Sequence, residues 1–187
     1  MRLWLLRHGP VDLPPGLCYG ASDVPALAEP TQGAAIAFAS LPAPGVPVWV
    51  SALGRARQLA QALQALRPDL GDPRVDARLN EMHFGGWELR PWDSLPRSEF
   101  EDWMAGFAHH RVGGDRSGES TQQVLDRVAA ALDAARATQQ PEMVWVTHAG
   151  VIRAVQYLIQ PGRRTIAGAH EWPRQAPPPG GWLALTV

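Results

Sequence analysis

Apolar positions along the chain follow two alternating periods. Short dense runs at residues 3–6, 46–50 and 143–147, bounded by Gly, Pro or polar residues, have the pattern of strands covered on both faces. Between and after them, TQGAAIAFASL from Thr31, GRARQLAQALQAL from Gly54, SEFEDWMAGFAHH from Ser98, ESTQQVLDRVAAALDAARAT from Glu119 and AGVIRAVQYLI from Ala149 carry the 3.6-residue spacing of amphipathic helices. Strands alternating with helices predict an α/β fold: a mostly parallel central sheet with helices on both faces, a three-layer α/β/α arrangement. GWLALTV near the C-terminus is expected to add an edge strand. LPAPGVP and QAPPPGG read as connectors and no repeat is visible, so residues 1–187 are expected to form a single domain.

In such sheets ligands sit beyond the carboxyl ends of the strands, where loops and helix N-termini present N–H groups to anions. The first strand is followed by Arg7 and His8, the second by Ser51, Arg55 and Arg57, the third by Thr147, His148 and Gly150. Two histidines and at least two arginines are therefore expected to converge. The small residues Gly9, Ala149 and Gly150 would let a ligand approach the backbone. Because arginine pairs bidentately with phosphate, the expected ligand is a tetrahedral oxyanion, above all a phosphoryl group. Arg57 falls on a different helix face from Arg55 and is assigned to structure or solvent.

Composition narrows the chemistry. With 17 basic and 18 acidic residues the net charge is −1, too small a field to recruit nucleic acid or an anionic membrane. All 17 basic residues are arginine, which removes Schiff-base chemistry, Ser-Lys pairs and a Walker lysine. GGDRSGES from Gly113 fits the glycine frame of a phosphate loop but has Glu119 where lysine belongs; Ser117 or Gly118 is expected to cap the following helix instead, with Glu119 and Ser120 open to bracing the site arginines. Cys18 is the one cysteine, so a reducing cytoplasm is the expected compartment, and LWLL is too short for a signal peptide or a span. His83, His109, His110 and His170 lack metal-ligand spacing, and neither metal nor cofactor is expected. Trp87, Trp92 and Trp103 are read as core, with Trp87 close enough to Glu81 to leave its role open.

LLRHG, SALGRARQLA, LNEMHFGGWE, SGES and VTHAGVIR, in that order, resemble the motifs of the histidine phosphatase superfamily, the phosphoglycerate-mutase-like fold, over nearly the whole chain. GLCYGASDVPAL and FGGWELRPWDSLPRSEFEDWM more narrowly resemble its α-ribazole-phosphate phosphatase branch, which serves cobalamin assembly. The resemblance implies a metal-independent enzyme in which His8 attacks phosphorus and becomes a phosphohistidine. Arg7 and Arg55 would hold the phosphate oxygens and His148 would face them. Glu81 would protonate the leaving group and then activate water. Tyr19 and Gly20, with Gly9, Ala149 and Gly150, are the further expected phosphate- and substrate-contacting positions.

Some positions depart from that pattern. Pro10 follows RHG where glutamate is common, Pro14 lies near a usual phosphate-contacting asparagine, Leu59 replaces a threonine, and Leu89 stands where WEG would have glycine. The chain also lacks the long insertion of the mutases, which favours hydrolysis of a small phosphorylated substrate over transfer. Phosphoglycerate-mutase-type transfer and a non-catalytic phospholigand-binding module remain the alternatives, and a second copy of the chain stays open as a partner.

Overall fold

The strands form because their side chains find cover on both sides. The computed structural model describes residues 1–114 and 118–187. In chain order its elements are β1 (Arg2–Arg7), β2 (Leu17–Cys18), α1 (Ala28–Phe38), β3 (Val48–Val50), α2 (Gly54–Leu66), β4 (Arg74–Val75), β5 (Arg90–Pro91), α3 (Arg97–Ala105), α4 (Thr121–Ala137), β6 (Glu142–Thr147), α5 (Ala149–Leu158) and β7 (Trp182–Thr186). The main sheet runs β4-β3-β6-β1-β7. The first four strands in that order are mutually parallel, and β7 pairs antiparallel with β1 at the edge. Alternation across the pleat divides the core in two. Leu3, Leu5, Trp49, Met143 and Trp145 pack with α4 and α5, while Leu6, Val48, Val50, Val144 and Val146 pack with α1 and α2. Helices therefore cover both faces, as the alternation of periods predicted.

The differences from the expected elements have local causes. α1 begins three residues before Thr31 because Pro30 falls in the first helical turn, where a missing N–H costs nothing. α3 stops at Ala105, with Gly106 at its C-terminal end, rather than running on to His110. The cap of α4 is Ser120, not Gly118. Its hydroxyl accepts from the Gln123 N–H while the Gln123 side chain accepts from the Ser120 N–H, and the proposed Ser117 cap lies outside the described residues. The two-residue strands β4, β2 and β5 carry no apolar run that a sequence pattern could register.

β2 and β5 form a small two-stranded antiparallel sheet beside a strained residue. Leu89, 56% exposed, has φ 62° and donates its N–H to the Cys18 carbonyl. That left-handed conformation costs a side-chain-bearing residue about 1–2 kcal/mol, which explains why the related motif has glycine here. Leu89→Gly should therefore raise the unfolding free energy by about 0.5–1 kcal/mol, glycine's larger unfolded-state entropy cancelling part of the relief. Urea unfolding at unchanged m-value measures it. A lower midpoint would mean that the leucine side chain contributes packing that outweighs its strain.

Candidate active site

Register brings the strand ends together. Arg7 is level with Thr147 and Val50 with Val146, so β1, β3 and β6 finish side by side. The ladder continues one step further: the His8 N–H donates to the Thr147 carbonyl (3.0 Å) and the Ser51 N–H to the Val146 carbonyl (3.0 Å). His8 and His148 thus leave adjacent strands, their ring centroids 5.0 Å apart and the rings inclined by 50°. His8 is 1% exposed, and its Nδ1 lies 2.7 Å from the Gly9 carbonyl, which can only accept. Nδ1 therefore carries the proton and Nε2 the lone pair. Burial, then the charge of Arg55 and, less strongly, that of Arg7, pull the His8 pKa down to about 3, against the Gly9 bond, which raises it. His148 is fully buried and held well below its ordinary value by burial, Arg55 and His8.

Ser51 has one proton to give and two takers. Its Oγ is 2.9 Å from Asn80 Oδ1 and 2.8 Å from His148 Nε2. Asn80 Oδ1, with two lone pairs, takes both the Ala52 N–H at 2.8 Å and the Ser51 hydroxyl. Ser51 Oγ then accepts from His148 Nε2, and His148 Nδ1 is a buried atom with no partner in the protein. A proton on Nδ1 would turn that atom into a donor for an oxyanion.

The two arginines share this lack of anionic partners. Arg55, the second residue of α2, is 0% exposed and donates to the Gly20 (2.5 Å) and Ser22 (2.7 Å) carbonyls, with its guanidinium 5.1 Å from the Tyr19 ring centroid. Arg7 donates to the Pro177 carbonyl at 2.8 Å. Nε of each is buried and unpartnered, and among the described residues neither forms an ion pair. Buried donors left without acceptors are costly, and those on cations more so. An anion would satisfy them. Arg57, by contrast, is exposed.

Glu81 arrives from the loop after β4 and meets the N-terminus of α5. Its carboxylate accepts from the Gly150 N–H (3.1 Å) and the Met82 N–H (3.0 Å). A Cβ on Gly150 would fall 2.1 Å from Glu81 Oε1, and one on Gly9 would fall 2.2 Å from Thr31 Oγ1. Both glycines therefore make room for the protein's own side chains; for Gly9, packed on Thr31, this corrects the expectation that it admits a ligand, while Gly150 also lines a cavity beside Glu81. Glu119 bonds to Arg127 (2.7 and 3.0 Å) and to the His83 N–H (2.9 Å), and Arg127 donates to the Arg78 and Asn80 carbonyls. Glu119 thus braces the loop that carries Glu81 rather than Arg7 or Arg55, and Ser120 is spent on the helix cap.

Arg7, Tyr19, Gly20, Glu81, Ala149 and Gly150 line one side of a cavity of about 410 Å³; Gly9, His8, Arg55 and His148 are not among its lining residues. The other walls carry aromatic rings. Trp92 and Trp103, read from the sequence as core, face this space, while Trp87 is buried and donates its indole N–H to Glu99. Arg153 and Thr121 also line it and were not singled out from the sequence, although Arg153 stands one helical turn after Gly150 on the same face of α5. Cys18 lines it too, but burial and the nearby carboxylates push its thiol up to about 12, which leaves no thiolate nucleophile. Glu81 also borders a second cavity of about 230 Å³ with Asn80, His83 and Arg127. Among the described residues no three His, Cys, Asp or Glu side chains cluster as a metal ion would require, and no helix is long and apolar enough to cross a membrane.

The buried neutral histidines link stability to pH. An unfolded histidine titrates near 6.5, whereas His8 in the fold does so at about 3, so below about pH 6.5 protons favour the unfolded chain. Stability is full above that pH and declines as it falls towards about 3, by about 1.4 kcal/mol per pH unit for each such ring. Few carboxylates titrate between about pH 5 and 6.5. Unfolding free energies in that window, in phosphate-free buffer, should fall with pH, and His8→Gln should remove about one proton's share of the slope. An unchanged slope would assign the uptake to other groups.

Residues 3–171 match the family described as histidine phosphatase superfamily (branch 1). The chain is 34% identical over 140 residues to "Probable phosphoglycerate mutase GpmB" of Escherichia coli O1:K1 / APEC, an overlap of 73% of this chain and 63% of that protein. It is 30% identical to TTHB049 of Thermus thermophilus, with TM-score 0.72 over 99% of this chain and 93% of the other. In fold it also matches "a putative alpha-ribazole-5'-P phosphatase" of Escherichia coli K-12, with TM-score 0.78, 24% identity, and 98% and 89% of the two chains covered. With paired histidines among buried arginines at the ends of parallel strands, and with a family match spanning most of its length, the chain belongs to the histidine phosphatase superfamily.

Proposed function

We propose that the protein is a phosphomonoester hydrolase that passes the phosphoryl group through a phosphohistidine at His8, acting on a small ester of the kind that α-ribazole 5'-phosphate represents. The observation that carries this reading is the state of His8: Nδ1 committed to the Gly9 carbonyl, Nε2 bearing a free lone pair, and the ring neutral beside donors that lack an anion. In the first step Nε2 attacks phosphorus as the bond to the leaving oxygen breaks. Glu81 supplies that oxygen with a proton and becomes a carboxylate. Arg7, Arg55 and His148 hold the equatorial oxygens, so that positioning and electrostatics lower the barrier. In the second step Glu81 takes a proton from water, the hydroxide oxygen bonds to phosphorus, the P–N bond breaks, and phosphate leaves with both residues restored.

Transfer to a second substrate, as the mutase names of several relatives suggest, would use the same intermediate and differ only in what removes the phosphoryl group. The position of Glu81 between two cavities supports water as the acceptor, because solvent can reach the carboxylate by a route separate from the leaving-group space.

Rapid quench with ³²P-labelled substrate should trap an acid-labile phosphoenzyme whose label passes to inorganic phosphate even when 3-phosphoglycerate is added. His8→Ala should abolish the adduct and lower turnover by several orders of magnitude with the fold intact. Label recovered in bisphosphoglycerate or 2-phosphoglycerate would establish transfer instead, and activity surviving in His8→Ala would remove the covalent route.

Acid catalysis is tested by leaving-group dependence in single-turnover phosphorylation. Glu81→Gln should slow an alkyl phosphate by about 10²-fold or more relative to its effect on p-nitrophenyl phosphate, whose phenolate needs no proton. Gly150→Ala should reproduce that selectivity without losing stability, since its Cβ displaces Glu81 while alanine favours a helix. Equal slowing of both esters would assign the proton to another group.

A further inference from the structure

The turn after β3 and the loop that leads into Glu81 meet at His148, and the hydrogen bonds between them run in one direction. Asn80 Oδ1 lies 2.8 Å from the Ala52 N–H, which can only donate, so the amide cannot be turned over. The Ser51 hydroxyl, 2.9 Å from the same oxygen, must then donate to it. With its one proton spent, Ser51 Oγ accepts twice, from the Leu53 N–H at 3.2 Å and from His148 Nε2 at 2.8 Å. A neutral His148 therefore holds its proton on Nε2 and a lone pair on Nδ1, an atom that is buried and without a partner in the protein. The main chain of Asn80 is pinned as well, its carbonyl accepting from Arg127 at 2.7 Å. Ser51 and His148 are both 0% exposed, so water does not compete for their bond.

Charged groups on several elements act on that ring: Arg7 and His8 at the end of β1, Arg55 on α2, Arg127 on α4, and Glu81, whose carboxylate accepts from the Gly150 N–H in the first turn of α5. Burial and the cations keep the ring neutral. A phosphate ester dianion offers only lone pairs, and a lone pair at Nδ1 repels it. A phosphoryl oxygen that brings a proton meets no such conflict. Resting on the reading of this site as a phosphoryl receptor, we propose that Asn80 is a positioning residue: through Ser51 it fixes His148 with Nδ1 unprotonated, so that the phosphoryl group binds together with one proton, shared between its oxygen and Nδ1. That proton arrives with the ester as its monoanion, or from solvent where the ester is the dianion. It bonds the phosphoryl group to the ring while the bond to the leaving oxygen breaks and the bond to His8 forms, and it departs with phosphate. The ring returns to its neutral form and the net reaction is unchanged.

Two measurements test it. ¹⁵N spectra of the histidine-labelled protein without ligand, with His148 assigned by its loss in His148→Gln, should show the proton on Nε2 in the wild type and in Asn80→Asp, which keeps the acceptor oxygen. In Asn80→Ala the hydroxyl is free to donate to Nε2, and the proton should move to Nδ1. Calorimetry of inorganic phosphate binding, in buffers of differing ionisation enthalpy and at a pH where free phosphate is the dianion, counts protons, with Glu81→Gln as the background to remove a competing site. Uptake should be about one proton per phosphate with Asn80 in place and close to none in Asn80→Ala, and affinity should fall about tenfold per pH unit in the first case and stay level in the second. Ser51→Ala, which releases Nε2 from the other end of the chain, should act as Asn80→Ala does and stands in for it if that variant does not fold. A wild-type His148 protonated on Nδ1, a proton that the spectra of the complex place on His8, or uptake unchanged in both variants would overturn the proposal. If uptake follows Asn80 while no ester is hydrolysed, the positioning role stands and the hydrolase reading falls; if p-nitrophenyl phosphate is hydrolysed through a phosphohistidine while His148 carries its proton on Nδ1, the reverse holds.

Discussion

Everything at this site depends on burying positive charge without a carboxylate against it. Arg55 is fully enclosed, yet its protein contacts are two carbonyl oxygens and the face of Tyr19. An ion pair there would have made a more stable empty fold and a poorer anion receptor, because a ligand phosphate would have had to displace the carboxylate. Carbonyl dipoles hold the guanidinium in place while leaving its charge without an ion-pair partner, the nearby carboxylates of Glu81, Asp23 and Glu88 acting on it only at a distance. Burial first, and then that charge, suppress protonation of His8 and His148, so in the proposed reaction the groups that attract the anion also help keep His8 in its nucleophilic form. Binding and activation are one electrostatic arrangement.

Holding those carbonyls falls to the segment between β2 and α1, which has little regular structure. Glu88 ties it down by accepting from the Ala21 N–H, the Ser22 hydroxyl and the Phe84 N–H, so one carboxylate joins the acceptors of Arg55 to the loop that lines the aromatic cavity. The strain at Leu89, the next residue, is tolerated because the β2–β5 pairing and this network over-determine its backbone. Glu119 and Arg127 do the corresponding job for the Glu81 loop. Acidic residues are thus used to position backbone near the cations while remaining out of direct contact with them.

The layers, the three central strands and α2 could be read from periodicity because each is fixed by burial of its own residues; GRARQLAQALQAL coincides with α2 from end to end. His8, Arg55 and His148 were legible for a related reason. Each follows a strand or opens a helix, and parallel pairing leaves little freedom in where a strand end lies. Helix limits were read less well where a cap or a first-turn proline set them, as at Ser120 and Pro30, because those signals act through single hydrogen bonds. The aromatic cavity was not legible. Trp92 and Trp103 have the composition of core residues, and whether a ring faces a neighbour or a void depends on distant loops meeting it. Arg153 closes the VTHAGVIR motif without a role read for it, and Thr121 belongs to no motif; their unpartnered atoms beside a cavity mark them.

On the hydrolase reading proposed above, the two halves of the site solve opposite solvation problems. The phosphoryl end must lose water around a highly charged group, and it does so where buried N–H donors replace the hydration shell without having to reorganise. The leaving-group end offers no such compensation for charge, since its walls are rings and its polar atoms are few. Glu81 stands where the two meet, bonded to the N-terminus of α5 on one side and bordering apolar space on the other. A leaving oxygen that departs as an anion would be stranded in that space, whereas one that departs with a proton is not. The apolar cavity therefore raises the demand for proton transfer at the one position that has a carboxylate to meet it, which couples the shape of the leaving-group space to the chemistry at Glu81.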